Sequence, residues 1–353
     1  MREDIFCPQN PRLARPGAAL ARADASKTRK HRFRRANLLK GEPMKRFLTS
    51  LFLAAILICA GCGGVSSKQV TTMPLPAAAA ADHVFLVMLE NHSFGQVIGN
   101  PVMPYLNGLA TAHSLAADYF ANAHPSIPNY FMLTTGKLET FDDNFPGTIS
   151  DDNIVRALTG AGKSWKAYVE SIPSVGYLGG NSGPYLKRHN PFAYLSDVNA
   201  PTPQAAAQAA KMVPFSQLSA DLAGGSLANF VYLLPNSQDD AHDCPGGGSS
   251  CMDDQKLAAA DAWLKANIDP LIHSPKFGNS VLIITFDESV DTDITNGGGQ
   301  VTTVLVGPHV KTGFRSSTMY QHQSLLRLML QLLNVSDMPG ASAAANSMGE
   351  FFQ

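Results

Sequence analysis

The run Val281-Leu282-Ile283-Ile284-Thr285-Phe286, closed by Asp287 and Glu288, constrains this chain more than any other stretch. A continuous apolar run without alternation describes a strand buried on both faces, and such strands need helices packed on each side of the sheet. Comparable runs occur at His83–Leu89, 229–234 and 302–306, and a shorter one at 164–169. Helical patterns lie among them, at 103–112, 151–159 (capped by Ser150 or Asp151), 205–212, 253–268 and 323–333. Strands alternating with helices imply βαβ units, hence an α/β fold with a doubly wound, mainly parallel central sheet flanked by helices. No internal repeat is visible.

Open sheets of this kind take their ligands at the carboxyl ends of the strands. The residues just past each apolar run are therefore the ones to examine. They are Glu90-Asn91-His92-Ser93-Phe94, then Pro235-Asn236 leading to Asp239-Asp240-Ala241-His242-Asp243, then Asp287-Glu288, then Gly307-Pro308-His309. A fifth polar cluster is His124-Pro125-Ser126-Ile127-Pro128-Asn129-Tyr130, ahead of a helix-like run that stops at Gly136. Proline is tolerated only in the first turn of a helix, so Ser126 is expected at a helix N-terminus. There, free N–H groups and the dipole favour an anion. A serine at that position is ordinarily an N-cap. Its neighbourhood argues instead for a nucleophile directed at phosphorus. Glu90, Asn91, Asp287 and Glu288 offer oxygen ligands to one divalent cation, and a cation beside Ser126 would ease loss of its proton.

Charge narrows the partners. Residues 1–43 carry 11 Lys and Arg against 4 acids, whereas the chain from residue 63 onward has 14 basic and 24 acidic residues. An acidic body argues against nucleic acid as a partner but not against small phosphorylated substrates, because a metal can supply positive charge. Met44-Lys45-Arg46, the apolar stretch 47–58 and Cys59-Ala60-Gly61-Cys62 read as a secretory signal, 44–62, with a lipobox that would lipidate Cys62. A short buried helix or an uncleaved anchor is the alternative. Residues 1–43 read as an extension upstream of the true start, and 63–81 as a flexible tether. The catalytic domain is then expected at 82–340, exported and anchored to the bacterial cell envelope or released. Two of the five cysteines, Cys244 and Cys251, lie in that domain. In an exported chain they read as a disulfide, with a zinc pair as the alternative. Residues 171–204 have no clean period, and such a loop beside a site shapes access to it.

Together these clusters, with His322-Gln323-Ser324-Leu325-Leu326-Arg327, resemble the phosphoesterase family of acid phosphatases and phospholipase C enzymes, in the alkaline phosphatase superfamily. The Ser-x-Pro-Asn-Tyr turn is also similar to the nucleophile turn of nucleotide pyrophosphatase/phosphodiesterases. The resemblance covers about 82–335. It implies an alkaline phosphatase-like fold, a phosphoserine intermediate on Ser126, and a metal held by Glu90, Asn91, Ser126, Asp287 and Glu288. It implies phosphoryl contacts from Asn129 and His242, with His242 protonating the leaving group and Asp243 orienting it. Asn91 is a further expected substrate contact, and His124 either contacts phosphate or braces the turn. The chain departs from two-zinc members, since Glu288 follows Asp287 where a histidine is usual and Asn236 stands where an aspartate often does. One cation is therefore expected, and all-oxygen ligation favours Mg²⁺, Ca²⁺ or Mn²⁺ over Zn²⁺.

Bland roles are expected elsewhere. His92 and His113 are structural, His309 is at most a site-edge group, His322 is a contact at the start of its helix, and Tyr177 and Tyr185 anchor their loop. Asp239 and Asp240 support the site, lie on a loop surface or ligate a metal. The expected activity is hydrolysis of phosphate monoesters. The alternatives are a phosphodiesterase or phospholipase C acting on phospholipids, and a surface lipoprotein without catalysis. A larger lipid substrate would need the 171–204 loop open and apolar beside Ser126; a monoester site would be closed and polar there.

Overall fold

The computed structural model describes residues 74–353. The extension 1–43, the signal 44–62 with Cys62, and most of the tether lie outside the described residues. The strands are β1 His83–Leu89, β2 Ser114–Ala116, β3 Tyr119–Phe120, β4 Trp165–Val169, β5 Met212–Pro214, β6 Phe230–Leu234, β7 Ser280–Phe286, β8 Thr303–Val306, β9 Phe314–Ser316 and β10 Tyr320–Gln321. The helices are α1 Phe94–Val97, α2 Pro104–Ala112, α3 Ser126–Thr135, α4 Ile154–Gly160, α5 Ser196–Asn199, α6 Pro203–Ala209, α7 Gln217–Gly224, α8 Asp253–Ile272 and α9 His322–Leu332.

Eight strands form one sheet in the order β5-β4-β6-β1-β7-β8-β2-β9, and β10 pairs with β3 separately. The five strands from β5 to β7 are mutually parallel, as crossover helices require. The central strands β1, β6 and β7 are buried almost throughout, which is why their sequences read as unbroken apolar runs. Glu90, Asn236 and Asp287 therefore emerge at one edge.

The 302–306 run is a strand, but β8 runs antiparallel to β7. Its carboxyl end delivers Gly307-Pro308-His309 to the opposite edge, with Val306 paired to Leu282 near the start of β7. His309 is thereby removed from the site. The 205–212 helix ends at Ala209, and Met212 begins the edge strand β5; Pro214 is accommodated because an edge strand can spare a donor. Helix α7 had no counterpart in the sequence reading. The tether is fixed before residue 82: Ala79 is buried, and the Ala81 N–H donates to the Leu332 carbonyl at 2.8 Å. The globular body likewise runs past 340, since Phe351 and Phe352 are buried. Cys244 and Cys251 form a disulfide.

Candidate active site

Helix α3 begins at Ser126, preceded by Pro125 in extended conformation, and the His124–Pro125 peptide is cis. Pro128 falls in the first turn, where its missing N–H costs nothing. Gly136 ends the helix at φ 70°, and a Cβ there would also run into the Pro339 carbonyl. Ser126 is buried, and its hydroxyl donates toward Glu90 Oε2 at 3.2 Å and Glu288 Oε1 at 3.0 Å. The next residue, Ile127, donates its N–H to Asp143 Oδ1 at 3.2 Å. Asn91, at φ 56°, turns the chain sharply after β1 and donates its N–H to Asp287 Oδ1 at 3.0 Å; asparagine tolerates that left-handed conformation.

Four carboxyl groups, Glu90, Asp240, Asp287 and Glu288, are buried around this hydroxyl. Burial, with Asp287 and Asp240 nearby, pushes Glu90 well above the usual carboxylate range. Burial raises Asp240 likewise. Burial takes Asp287 to about 6, and burial followed by Asp287 takes Glu288 to about 10. Acids this crowded cannot all ionise without a cation. Tyr130 donates its hydroxyl to Glu90, and its ring stacks on His189 at 5.5 Å. His189 gives its Nδ1–H to Asp240 Oδ2 at 3.0 Å, leaving a bare Nε2 at 3.1 Å from Glu90 Oε1 without a hydrogen bond. His242 is set between Asp243, 2.8 Å from Nδ1, and Arg188, whose Nη2 donates to Nε2 at 2.9 Å. Burial lowers the pKa of His242, and the Arg188 charge lowers it further.

Comparison with known proteins decides the family. The Phosphoesterase family profile matches residues 100–336. A phosphatidylinositol-3-phosphatase of Mycobacterium tuberculosis is 31% identical over 284 residues, covering 79% of this chain and 85% of that one. The chain belongs to the Phosphoesterase family. It is a hydrolase acting on phosphoric esters. A phosphate-repressible acid phosphatase of Penicillium chrysogenum is 29% identical over 74% of this chain, which spans only 62% of that relative. The fold is shared with a protein in the alkaline phosphatase superfamily from Vibrio parahaemolyticus, at TM-score 0.52 and 14% identity, over 73% of this chain and 67% of that one.

The site of this phosphoesterase fits a divalent cation. Asn91 Oδ1, Asp287 Oδ2 and His189 Nε2 are buried polar atoms without hydrogen-bond partners, and surplus buried negative charge surrounds them. A histidine that donates one nitrogen to a carboxylate and presents the other bare is a familiar support for a metal. Two groups bring ligand atoms within 4.8 Å of one another: Glu90 with His189 and His242, and His124 with Glu288 and Asp291. The donor set thus includes imidazole nitrogen, where only oxygen was expected.

Glu90, Asn91, Ser126, Asp287 and Glu288 converge as the sequence suggested. Asn129 does not take the expected place at the phosphoryl group. Its Oδ1 accepts the Asn122 and Ala123 N–H groups and its Nδ2 donates to the Ala123 and Pro125 carbonyls, so the amide is spent on clamping the turn. His124 is held similarly, with Nδ1 2.7 Å from Glu288 and Nε2 3.0 Å from the Asp293 carbonyl. His322 does more than start α9. Its Nε2–H donates to the Asp287 carbonyl at 2.6 Å and its Nδ1 accepts from Tyr119 at 3.0 Å. Arg188, His189 and Tyr130 were missed. Tyr130 stood in the motif with its acid partner unidentified, and the other two lay in a stretch without a period.

Proposed function

We propose that this phosphoesterase is an exported phosphomonoesterase working through a phosphoserine at Ser126 with one divalent cation. The observation that carries the reading is the Ser126 hydroxyl, at the first residue of α3 and 3.0 Å from Glu288. Glu90, Asn91, Asp287 and Glu288, with Ser126 beside them and His189 behind, would hold the cation. When bound, it would neutralise charge on the phosphoryl oxygens and favour the serine alkoxide.

The Ser126 oxygen attacks phosphorus while its proton passes to Glu288. The bond to the ester oxygen breaks, and that oxygen leaves as an alcohol with a proton from His242, which Asp243 orients. Water then attacks the phosphoserine and gives a proton to the now neutral His242; the bond from phosphorus to the Ser126 oxygen breaks, inorganic phosphate leaves, and Glu288 returns its proton to the serine. Protonation of His242 would release the Arg188 guanidinium, whose Nη2 otherwise rests on His242 Nε2, to meet the phosphoryl oxygens. His242 is charged only at acidic pH because burial lowers its pKa, which supports an acid optimum. Buried His189 puts a polar group of the 171–204 segment beside Glu90, which favours a monoester over a diester or phospholipase C substrate. A phosphoinositide monoester is a second reading, supported by the name of the mycobacterial relative. The Cys244–Cys251 disulfide supports export to an oxidising compartment, and lipidation of Cys62 would provide the membrane anchor.

Ser126→Ala tests the mechanism. It should abolish hydrolysis of p-nitrophenyl phosphate, with the fold and bound metal retained. Acid quenching of wild-type protein during turnover should trap a phosphate on Ser126, detected by peptide mass. Retained turnover in the variant would end the nucleophile assignment, and titration of stripped protein with Mg²⁺, Ca²⁺, Mn²⁺ and Zn²⁺ would identify the cation.

A further inference from the structure

A cleft opens beside the nucleophile turn. It encloses about 230 Å³ and is lined by Asp143, Asn144, Asn181, Lys187 and Tyr194 among others. Asp143 joins it to the site, because the same side chain accepts the N–H of Ile127, next to Ser126. The far wall is fixed by packing: Tyr194 is buried and meets Phe131 of α3 edge-on at 5.5 Å, with Phe145 stacked against it at 6.1 Å.

Lys187 is the unusual group here. Its ammonium rests over the Tyr194 ring at 4.4 Å, and no carboxylate of the described residues lies within ion-pair distance. Its backbone is held by Asn181, whose Oδ1 accepts the Lys187 N–H at 2.9 Å. A half-buried cation on an aromatic face, with no ion-pair partner, in a polar cleft that shares Asp143 with the nucleophile turn is suited to receive an anion.

We propose that this cleft is the leaving-group subsite and that Lys187 selects phosphate monoesters whose alcohol carries a second phosphate. The inference rests on Ser126 being the reacting group, with the leaving oxygen at His242 and the rest of the alcohol reaching into the cleft that Asp143 joins to the nucleophile turn. The second phosphate could belong to a soluble bisphosphate, as a monoester of charge about −2, or to a phospholipid headgroup, as a singly charged diester; both offer an anion to Lys187.

Three probes with the same reacting position separate these sources: myo-inositol 3-phosphate, myo-inositol 1,3-bisphosphate and dibutanoyl phosphatidylinositol 3-phosphate. In wild-type protein both compounds with a second phosphate should exceed inositol 3-phosphate in kcat/KM by about tenfold, the scale of one charge-assisted contact. Lys187→Met should bring the ratios close to one, and Lys187→Arg should keep them. Ratios within one protein are insensitive to how much of a variant folds. If wild-type protein hydrolyses none of the probes, the monoesterase reading fails; the same ratios are then read from dissociation constants by calorimetry, and Lys187→Met must still level them. Equal treatment of all three probes by wild type, or a preference that survives Lys187→Met, would overturn the proposal. A preference for the lipid alone would overturn it too, because acyl recognition rather than the second phosphate would then be responsible.

Discussion

Replacing Glu288 by glutamine should stabilise the metal-free protein while weakening its hold on the cation. Burial and the neighbouring Asp287 raise this carboxyl from 4.5 to about 10. The folded, metal-free chain therefore keeps it protonated at neutral pH, and the unfolded chain does not. A raised carboxyl pKa contributes stability that is complete below 4.5 and is lost as pH climbs toward 10. The loss is about 1.4 kcal/mol per pH unit, so at pH 7 it amounts to about 3 kcal/mol. Glutamine ionises in neither state and escapes it. The amide also replaces the contacts that the protonated carboxyl makes with Ser126 and His124 less well, a cost of about 1 kcal/mol. The expected net gain is about 2 kcal/mol. Urea unfolding in EDTA, followed by the fluorescence of Trp165 and Trp263, measures it. The variant should be the more stable protein at pH 8 and should lose that advantage at pH 5. Divalent cation should then reverse the order, because ligand at a hundred times its Kd adds about 2.7 kcal/mol to the protein that binds it. A variant less stable than wild type at pH 8 in EDTA would refute the idea that crowded acids strain this site.

Acid should weaken the fold through His322, which burial depresses to about 4. The stability that comes with its neutral form is complete above 6.5 and is lost as pH falls from 6.5 to 4, by about 3 kcal/mol. His322→Gln should flatten that part of the stability curve, and an unaltered slope would exclude it. Arg188→Ala should lower kcat/KM for p-nitrophenyl phosphate by about 100-fold, as loss of a charged phosphoryl contact does, with unchanged kinetics counting against it. Tyr130→Phe should cost about 2 kcal/mol in chelator by removing the donor to buried Glu90, and a neutral result in urea unfolding would show that this contact contributes nothing.

The central strands were legible because burial on both faces leaves an unbroken apolar run, and their order in the chain told which ends carry chemistry. Glu90, Asp287 and Glu288 follow directly from that logic. It failed at β8, whose sequence resembles β7 but whose direction is opposite. Periodicity carries no sign of direction, so His309 was placed at the wrong edge. Asn129 failed for a different reason. A side-chain amide in a turn can serve a ligand or the turn, and only the positions of the Asn122, Ala123 and Pro125 backbone groups decide.

The most informative residues were hidden by their local geometry. Lys187, Arg188 and His189 make up a single 3₁₀ turn, a conformation with three residues per turn. Successive side chains therefore leave its axis about 120° apart, so three neighbours in sequence face three different surroundings. Lys187 reaches the Tyr194 ring, Arg188 reaches His242, and His189 enters the acids between Glu90 and Asp240. In sequence they form an ordinary basic patch, which reads as solvated surface. In the fold the turn distributes one charge to a cleft and one to His242, and it supplies an imidazole to the metal ligands. Under the proposed mechanism it would tie leaving group, phosphoryl group and cation to one short segment. A shift of this turn would disturb all three at once, whereas substitution of any one of its side chains should disturb only the surroundings that side chain reaches.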